Sequence, residues 1–459
     1  GFIDTHVHVM GFGSSLKWIN LRGVESIKEV KERLKKRVQE MPKEKWILGR
    51  GWDQDRFMER RYPTRWDLDE ASPNNPVVFN RVCGHICIVN GKALELAGIT
   101  RETTPPPGGQ IDKDPKTDEP TGILRENAMD LIWKLVPEPS EDELIQACSL
   151  ACQKAVEAGL TGVHWIIYSP AEIRVIQKLR AQNKLPLRAY VLIPVEYLDH
   201  LIDLGLCTGF GDNMIRIGGI KIIMDGSLGA RTASLHEPYS DDPKTKGMIL
   251  HSQEELNALV MKAHKAGLQL AIHAIGDQAI DMTLAAIEKA LTEISRSNHR
   301  HRIEHASVLN EMLIQRMKKL ELIASVQPHF IVSDFWAVDR VGPSRARWVY
   351  PFKTLIKEGV WTAGGSDCPV EPISPLLGIY AAVARESFPE ERITIDDAMR
   401  IYTVNAAYAS FEENIKGSIE AGKLADLVVL SHDPRTISPS KIKDIKIGMT
   451  IMGGMIVHG

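Results

Sequence analysis

The sequence of 459 residues lacks several features that mark whole classes of protein. No uninterrupted apolar stretch is long enough to cross a bilayer, and no segment has the basic start and apolar centre of a signal peptide. Lys and Arg do not cluster and the formal net charge is only -3, so the basic surface that binds nucleic acid is missing. We therefore expect a small-molecule substrate and neither a nucleic-acid nor a membrane partner.

Cysteine pairs and phosphate-binding loops are also missing. The six cysteines do not form the paired CxxC spacing of a zinc knuckle, which favours free thiols in a reducing cytoplasm. The segment Gly226–Gly229 lacks the lysine and the spacing of a P-loop, which argues against a nucleotide-binding barrel. The chain starts at Gly1 inside a motif, so we expect the natural protein to begin earlier.

Eight short apolar runs indicate buried strands. Most are rich in Val, Ile and Leu without strict alternation, as in parallel strands covered on both faces. The runs are Gly1–His8, Leu160–Ile167, Pro186–Ile193, Ile215–Met224, Leu268–His273, Arg302–His305, Ile323–Gln327 and Val360–Ser366.

Helical patterns lie between these runs. Ser252 and Glu255 form a capping box, and Pro170 follows a plausible N-cap at Ser169. Alternation of strand and helix over eight strands predicts a (β/α)8 TIM barrel, with an open doubly wound sheet as the alternative. The predicted helices are Glu141–Ala158, Pro170–Gln182, Ser252–Ala266, Gln278–Ile294, Asn310–Leu320 and Thr394–Ala407.

Two regions fall outside the barrel pattern. Residues 46–138 are rich in Pro, Gly and Asp and are too long for a simple loop, so they predict an inserted subdomain or lid. Residues 413–459 read as short strands with a hairpin turn at Gly453-Gly454, which is half of a small β-domain. The barrel would then consist of residues 1–45 and 139–412.

His6 and His8 are two residues apart at the C-terminal end of the first predicted strand. Alternate residues of a strand point to the same side, so both imidazoles can reach one point. In a barrel that point is the mouth, where active sites of this fold lie.

Other ionisable residues also stand at strand ends. Four imidazoles and a carboxylate at such positions predict a metal site, with Zn²⁺ first and other first-row divalent ions as alternatives. Lys221 lies in the fourth strand, where the alternative interpretation is an ion pair with Asp225 or Asp4. The remaining candidates are His273, His305 and Asp367.

Together these segments resemble the amidohydrolase superfamily, in the branch called amidohydrolase 3, which includes N-substituted formamide deformylase. The matching motifs cover essentially the whole chain. They are Gly1–His8, Ile220–Arg231, His273–Asp277, Arg302–His305, Gln327–Phe330, Gly365–Pro369 and Gly422–Leu427.

The resemblance implies a distorted barrel with a small β-sandwich built from both chain ends, whose N-terminal half is missing here. It implies that His6 and His8 hold one metal and that His273 and His305 hold a second. Lys221 would bridge the two after carboxylation of its amine, which a desolvated lysine favours. Asp367 would bind metal and move protons, and a homodimer is expected.

The expected reaction is hydrolysis of a C–N bond in an amide or N-substituted formamide by metal-activated water. A deaminase or an esterase on the same site is the alternative. Candidate substrate contacts are His85, Trp52, Arg231, His329 and Trp336. Each of these has a structural role as its competing interpretation.

Overall fold

The computed structural model describes residues 1–459 and divides into two compact units. The barrel unit comprises Gly1–Gly13 and Glu141–Gly459, and the inserted unit comprises Ser14–Ser140. The inserted unit therefore starts well before residue 46, the boundary drawn from the sequence. The reason is helix Ile27–Glu40, which packs on the sheet of the inserted unit.

The barrel unit is built on eight parallel strands that pair in sequence order. Val7 pairs in parallel with Cys368, just beyond the last strand, and this bridge joins the two ends of the sheet. The predicted distorted TIM barrel is thereby confirmed. The strands are β1 (Phe2–Val7), β2 (Leu160–Ile166), β3 (Arg188–Pro194), β4 (Ile215–Ile223), β5 (Gln269–Ala274), β6 (Arg302–His305), β7 (Ile323–Val326) and β8 (Trp361–Gly364).

Burial on both faces explains the apolar composition of these strands. Every residue of β1, β2, β5, β6 and β7 is buried, as expected for a parallel sheet covered by helices. The helices of the barrel unit begin with Val9–Ser15, which runs into the inserted unit. The others are Glu141–Glu157, Pro170–Ala181, Leu198–Asp203, Gln253–Lys265, Asp277–Glu293, Glu311–Lys319, Phe330–Ser333, Ala337–Val341, Pro343–Ala346, Phe352–Lys357, Pro375–Ala384, Ile395–Ile401 and Val404–Ala409.

Local sequence signals fix several helix ends. The predicted capping box is present, because Ser252 Oγ accepts from the Glu255 amide and the Glu255 carboxylate accepts from the Ser252 amide. The single helix predicted over Thr394–Ala407 is wrong, since Tyr402 and Thr403 separate two helices.

Three antiparallel strands close the chain: β9 (Leu427–Leu430), β10 (Ile447–Met452) and β11 (Met455–His458). Gly453 and Gly454 connect the last two with φ values of 59° and 84°. Two successive left-handed residues are what a tight hairpin turn requires, and glycine adopts them without strain. The predicted hairpin is confirmed.

The inserted unit contains a six-stranded sheet with its own core. Its core holds Val78, Cys87, Val89 and Leu124. In sheet order the strands are Ile19–Asn20, Ile47–Trp52, Val77–Arg81, Ile86–Val89, Pro120–Glu126 and Gly109–Lys113. The helices are Ile27–Glu40, Arg65–Asp69, Gly91–Leu96 and Asp130–Trp133.

Two sequence expectations concern the chain as a whole. None of the helices combines the length and the apolar character that a membrane span needs. None of the six cysteines forms a disulfide.

Candidate metal centre

The six predicted ligands come from five barrel strands and gather at the C-terminal end of the barrel. His6 and Lys221 lie within β1 and β4, and His273 lies within β5. His305 ends β6, and His8 and Asp367 follow β1 and β8. Five of the six residues are buried, and His8 is half-buried.

The closest ligand atoms belong to His6, His8 and Asp367. Asp367 Oδ1 lies 3.4 Å from His6 Nε2 and 3.3 Å from His8 Nε2. One ligand atom from each of the three lies within 4.8 Å of the others, a spacing that suits a shared metal ion. His6 Nε2 is buried and makes no hydrogen bond, which fits an atom meant for a metal.

The remaining imidazoles continue this cluster. The ring of His305 lies 4.7 Å from that of His6 and 4.5 Å from that of His273, measured between centroids. His305 Nδ1 is 2.6 Å from Gln327 Oε1, and His273 Nε2 is 3.0 Å from the carbonyl oxygen of Gly226. Each contact uses one ring nitrogen and orients the other, as in metal-binding histidines.

Burial keeps the imidazoles of His6 and His305 neutral. Burial lowers the pKa of His6 well below its usual value, and the charge of Lys221 lowers it further. Burial also lowers the pKa of His305, with a contribution from His273. Neutral imidazole is the form that donates an electron pair to a metal.

Lys221 and Asp367 carry the other charges of the site. Burial lowers the pKa of Lys221 to about 8, although the carboxylates of Glu304 and Asp367 oppose this effect. Burial alone would raise the pKa of Asp367, but the His8 hydrogen bond and electrostatic interactions with His6, His8 and Lys221 lower it to about 2. Asp367 is therefore anionic at neutral pH.

The competing interpretation of Lys221 was an ion pair with Asp225 or Asp4. Asp225 instead accepts from the backbone amides of Ser234, Ile275 and Gly276 at 2.8, 3.0 and 2.8 Å. Asp4 Oδ1 accepts from the amides of His6 and Ser366, each at 3.0 Å. Neither carboxylate pairs with Lys221, so both serve to hold the loops that carry ligands.

Asp4 is one of several connections between β1 and the loop that carries Asp367. The Asp367 amide donates to the His6 carbonyl at 2.7 Å, and Ser366 Oγ donates to Asp4. A Cβ on Gly365 would lie 2.6 Å from His6 N, so only glycine permits this approach. The loop is thus fixed against β1 by backbone contacts on both sides of the ligand.

Two ligands have unusual backbone angles. His305 has a φ of 74° and Asp367 a φ of 55°, in the left-handed region that non-glycine residues rarely adopt. In a regular strand, adjacent Glu304 and His305 would point to opposite faces. The turn at His305 places its ring beside His6, although Glu304 also contacts His6.

The three predicted substrate contacts of the barrel unit have other partners. Arg231 forms a two-point ion pair with Asp241 at 3.1 and 2.8 Å. His329 Nδ1 bonds to the buried carboxylate of Glu371. The guanidinium of Arg340 lies 4.9 Å from the ring centroid of the buried Trp336.

The other two predicted contacts lie in the inserted unit. Trp52 is fully buried there, and its indole N–H donates to the Phe79 carbonyl at 2.8 Å. This burial fits the competing interpretation, a Trp in the core of the unit. His85 is partly exposed, and its Nδ1 lies 2.7 Å from Glu126 Oε2.

Sequence reasoning missed the residues that hold the ligands, above all Glu304, Gln327 and Asp225. A signal for Glu304 was present. Arg302 and Glu304 are two charged residues, two positions apart, in a short strand that is otherwise apolar. Charged residues are almost never fully buried unless paired, so this pattern predicts a buried network inside the barrel.

A sequence profile of the amidohydrolase family matches residues 1–458. YtcJ of Bacillus subtilis is 38% identical over all of this chain and 88% of its own length. N-substituted formamide deformylase of Arthrobacter pascens is 30% identical over 99% of this chain and 87% of its own length. The chain therefore belongs to the amidohydrolase family.

The solved structures agree with this assignment. An uncharacterized metal-dependent hydrolase from Pyrococcus furiosus is 35% identical, with a TM-score of 0.74. The match covers 95% of this chain and 87% of the archaeal chain. Membership of a family of metal-dependent hydrolases implies a divalent metal, and the buried His and Asp donors of this chain suit one.

Proposed function

We propose that the protein hydrolyses the C–N bond of a small amide or N-substituted formamide with the help of Zn²⁺. The observation that carries this proposal is the convergence of His6 and His8 on the anionic Asp367. The deformylase from Arthrobacter pascens, which matches this chain over nearly its whole length, supports the choice of substrate class.

In this proposal His6, His8 and Asp367 hold one metal ion, and His273 and His305 hold a second. Lys221, carboxylated on its amine, would supply an anionic ligand to the centre. Bound metal lowers the pKa of water toward neutrality and polarises the carbonyl that the water attacks. We further propose that the protein forms a homodimer and is located in the cytoplasm.

Asp367 moves the protons. Its low pKa leaves it ionised, so it accepts a proton from the attacking water as the oxygen adds to the carbonyl carbon. It then returns this proton to the nitrogen as the C–N bond breaks, and the products are a carboxylic acid and an amine. The bond from the Asp367 amide to the His6 carbonyl keeps this carboxylate beside the two histidines.

Metal removal tests the proposal. Purified protein is expected to contain about one to two divalent ions per chain, and dialysis against a chelator should abolish hydrolysis of an N-alkylformamide. Added Zn²⁺ should restore the rate. Metal-free protein with full activity would contradict the proposal, and a panel with a matched ester and an aminopyrimidine separates amide hydrolysis from esterase and deaminase activity.

Carboxylation of Lys221 has its own test. Protein reconstituted with Zn²⁺ and ¹³C-bicarbonate is expected to show one carbamate carbon signal by NMR, because a buried and partly neutral amine adds carbon dioxide. Lys221→Gln should lose this signal. Lys416→Gln is the matched control, because Lys416 is equally buried but paired with Glu412. A signal that persists in Lys221→Gln would contradict the assignment.

A further inference from the structure

A network of buried polar side chains extends from His6 through the interior of the barrel. Glu304 is completely buried, and its carboxylate contacts His6 Nδ1. Arg302, two residues earlier on β6 and also completely buried, binds the same carboxylate through Nε and through Nη2, the latter at 2.9 Å. A metal ligand and a buried ion pair are thus joined in one chain of contacts.

The far side of Arg302 also has hydrogen-bond partners. Its Nη1 lies 2.6 Å from His164 Nδ1, and its Nη2 donates to Ser325 Oγ at 2.9 Å and to the Thr5 carbonyl. A guanidinium keeps its proton in proteins, and Arg302 donates to both carboxylate oxygens of Glu304. The carboxylate is therefore ionised, and its position is set by a guanidinium that has bonds of its own.

An ionised carboxylate can only accept a hydrogen bond, so the proton of the His6 ring must lie on Nδ1. Nε2 then carries the lone pair, and it is the atom that makes no hydrogen bond and lies 3.4 Å from Asp367 Oδ1. The contact with Glu304 therefore selects the tautomer and the ring orientation that a metal requires.

We propose that Glu304 is a positioning residue that prepares His6 for the metal, and that Arg302 clamps Glu304 in place. This inference rests on the proposed function, because it assigns His6 as a metal ligand. The competing explanation is a buried ion pair that serves stability alone. The two explanations differ in what happens to metal affinity when the carboxylate is removed.

The test compares Glu304→Gln with Asp426→Asn. Asp426 is a matched control, because its carboxylate also accepts two hydrogen bonds from one arginine. Arg188 Nε and Nη2 donate to it at 2.6 and 2.8 Å. Both partners of that pair are nearly buried, and Arg188 begins β3, at the end of the barrel away from the ligands. Apo forms of wild type and both variants are titrated with Zn²⁺ against a chromophoric chelator, and the Co²⁺ forms are compared by visible absorption.

Glu304→Gln is expected to bind Zn²⁺ about 10–100-fold more weakly than wild type. It should also change the Co²⁺ spectrum, since an amide can turn its NH₂ group toward His6 and favour the wrong tautomer. Asp426→Asn should keep both properties even if it unfolds at lower temperature. Arg302→Lys retains the Glu304 carboxylate but not its two-point clamp, so we expect a smaller loss of Zn²⁺ affinity. This variant replaces Glu304→Gln in the test if Glu304→Gln does not fold.

Three results would overturn the assignment. If Glu304→Gln binds Zn²⁺ as tightly as wild type while its stability falls as in Asp426→Asn, the ion pair serves stability only. If Asp426→Asn loses as much affinity as Glu304→Gln, the effect is general destabilisation. If wild type itself binds no Zn²⁺, the proposed metal centre fails first, and that result is distinct from the other two.

Discussion

Asp367→Asn is expected to lower kcat by about 10²–10⁴-fold with a much smaller change in KM. The amide keeps the size of the side chain but cannot accept the proton of the attacking water or return it to the leaving nitrogen. It also removes the negative charge that lies 3.4 and 3.3 Å from the His6 and His8 nitrogens. Steady-state kinetics with an N-alkylformamide measure the effect.

The choice of substrate makes this test sharper. The aniline nitrogen of an anilide with an electron-withdrawing substituent can leave before it is fully protonated. Asp367→Asn should therefore lose less activity on such an anilide than on an alkyl amide. Asp426→Asn is the control, because it removes a buried carboxylate far from the ligands, and it should keep near wild-type kinetics. Equal losses on both substrates would contradict the return of a proton from Asp367 to the leaving nitrogen.

The second large effect is expected for His273→Ala. The ring is buried, and its Nε2 contacts the Gly226 carbonyl at 3.0 Å while Asp225 Oδ1 lies 3.4 Å away. Without the imidazole the proposed second metal would lose a ligand, so metal affinity should fall by more than the about 10–100-fold that loss of an outer hydrogen-bond partner costs. Turnover should fall to the background rate, and metal content per chain should fall with it.

His264→Ala is the matched control for His273→Ala. His264 is also buried and fully bonded, to His301 Nε2 at 2.9 Å and to the Ile294 carbonyl at 2.8 Å, but it lies on helix Gln253–Lys265. This variant should unfold at lower temperature yet retain metal and turnover. Loss of turnover in both variants would mean that destabilisation, rather than the missing ligand, explains the result.

The barrel, and the position of the six candidate ligands at the ends of its strands, were open to prediction because both follow from local patterns. The apolar runs reveal strands covered on both faces, and the histidines and Asp367 stand where those runs end. The network around Glu304 was harder to predict. It joins β6 to β1, which are distant in sequence and are not neighbours in the sheet, and no spacing along the chain encodes that contact.

Competition for backbone hydrogen bonds explains another wrong prediction. The pattern over Thr394–Ala407 predicts one helix, but the Tyr402 carbonyl accepts from the Ile3 amide of β1 at 2.8 Å. This long-range bond takes a carbonyl that a continuous helix would use, and Thr403 leaves helical geometry with a ψ of -94°.

The extent of the inserted unit was missed because it also depends on contacts between distant parts of the chain. The apolar stripe of Ile27–Glu40 shows that the helix packs on a sheet but not on which one.

The left-handed backbone of His305 and Asp367 links metal binding to folding. An unfolded chain rarely populates these angles, so it would present the two ligands together far less often than the native barrel does. A metal that binds the native state alone adds to the free energy of unfolding, by about 2.7 kcal/mol at a free concentration 100 times Kd. The melting temperature of this protein should therefore depend on metal concentration, and heating should release metal in the same transition that unfolds the barrel.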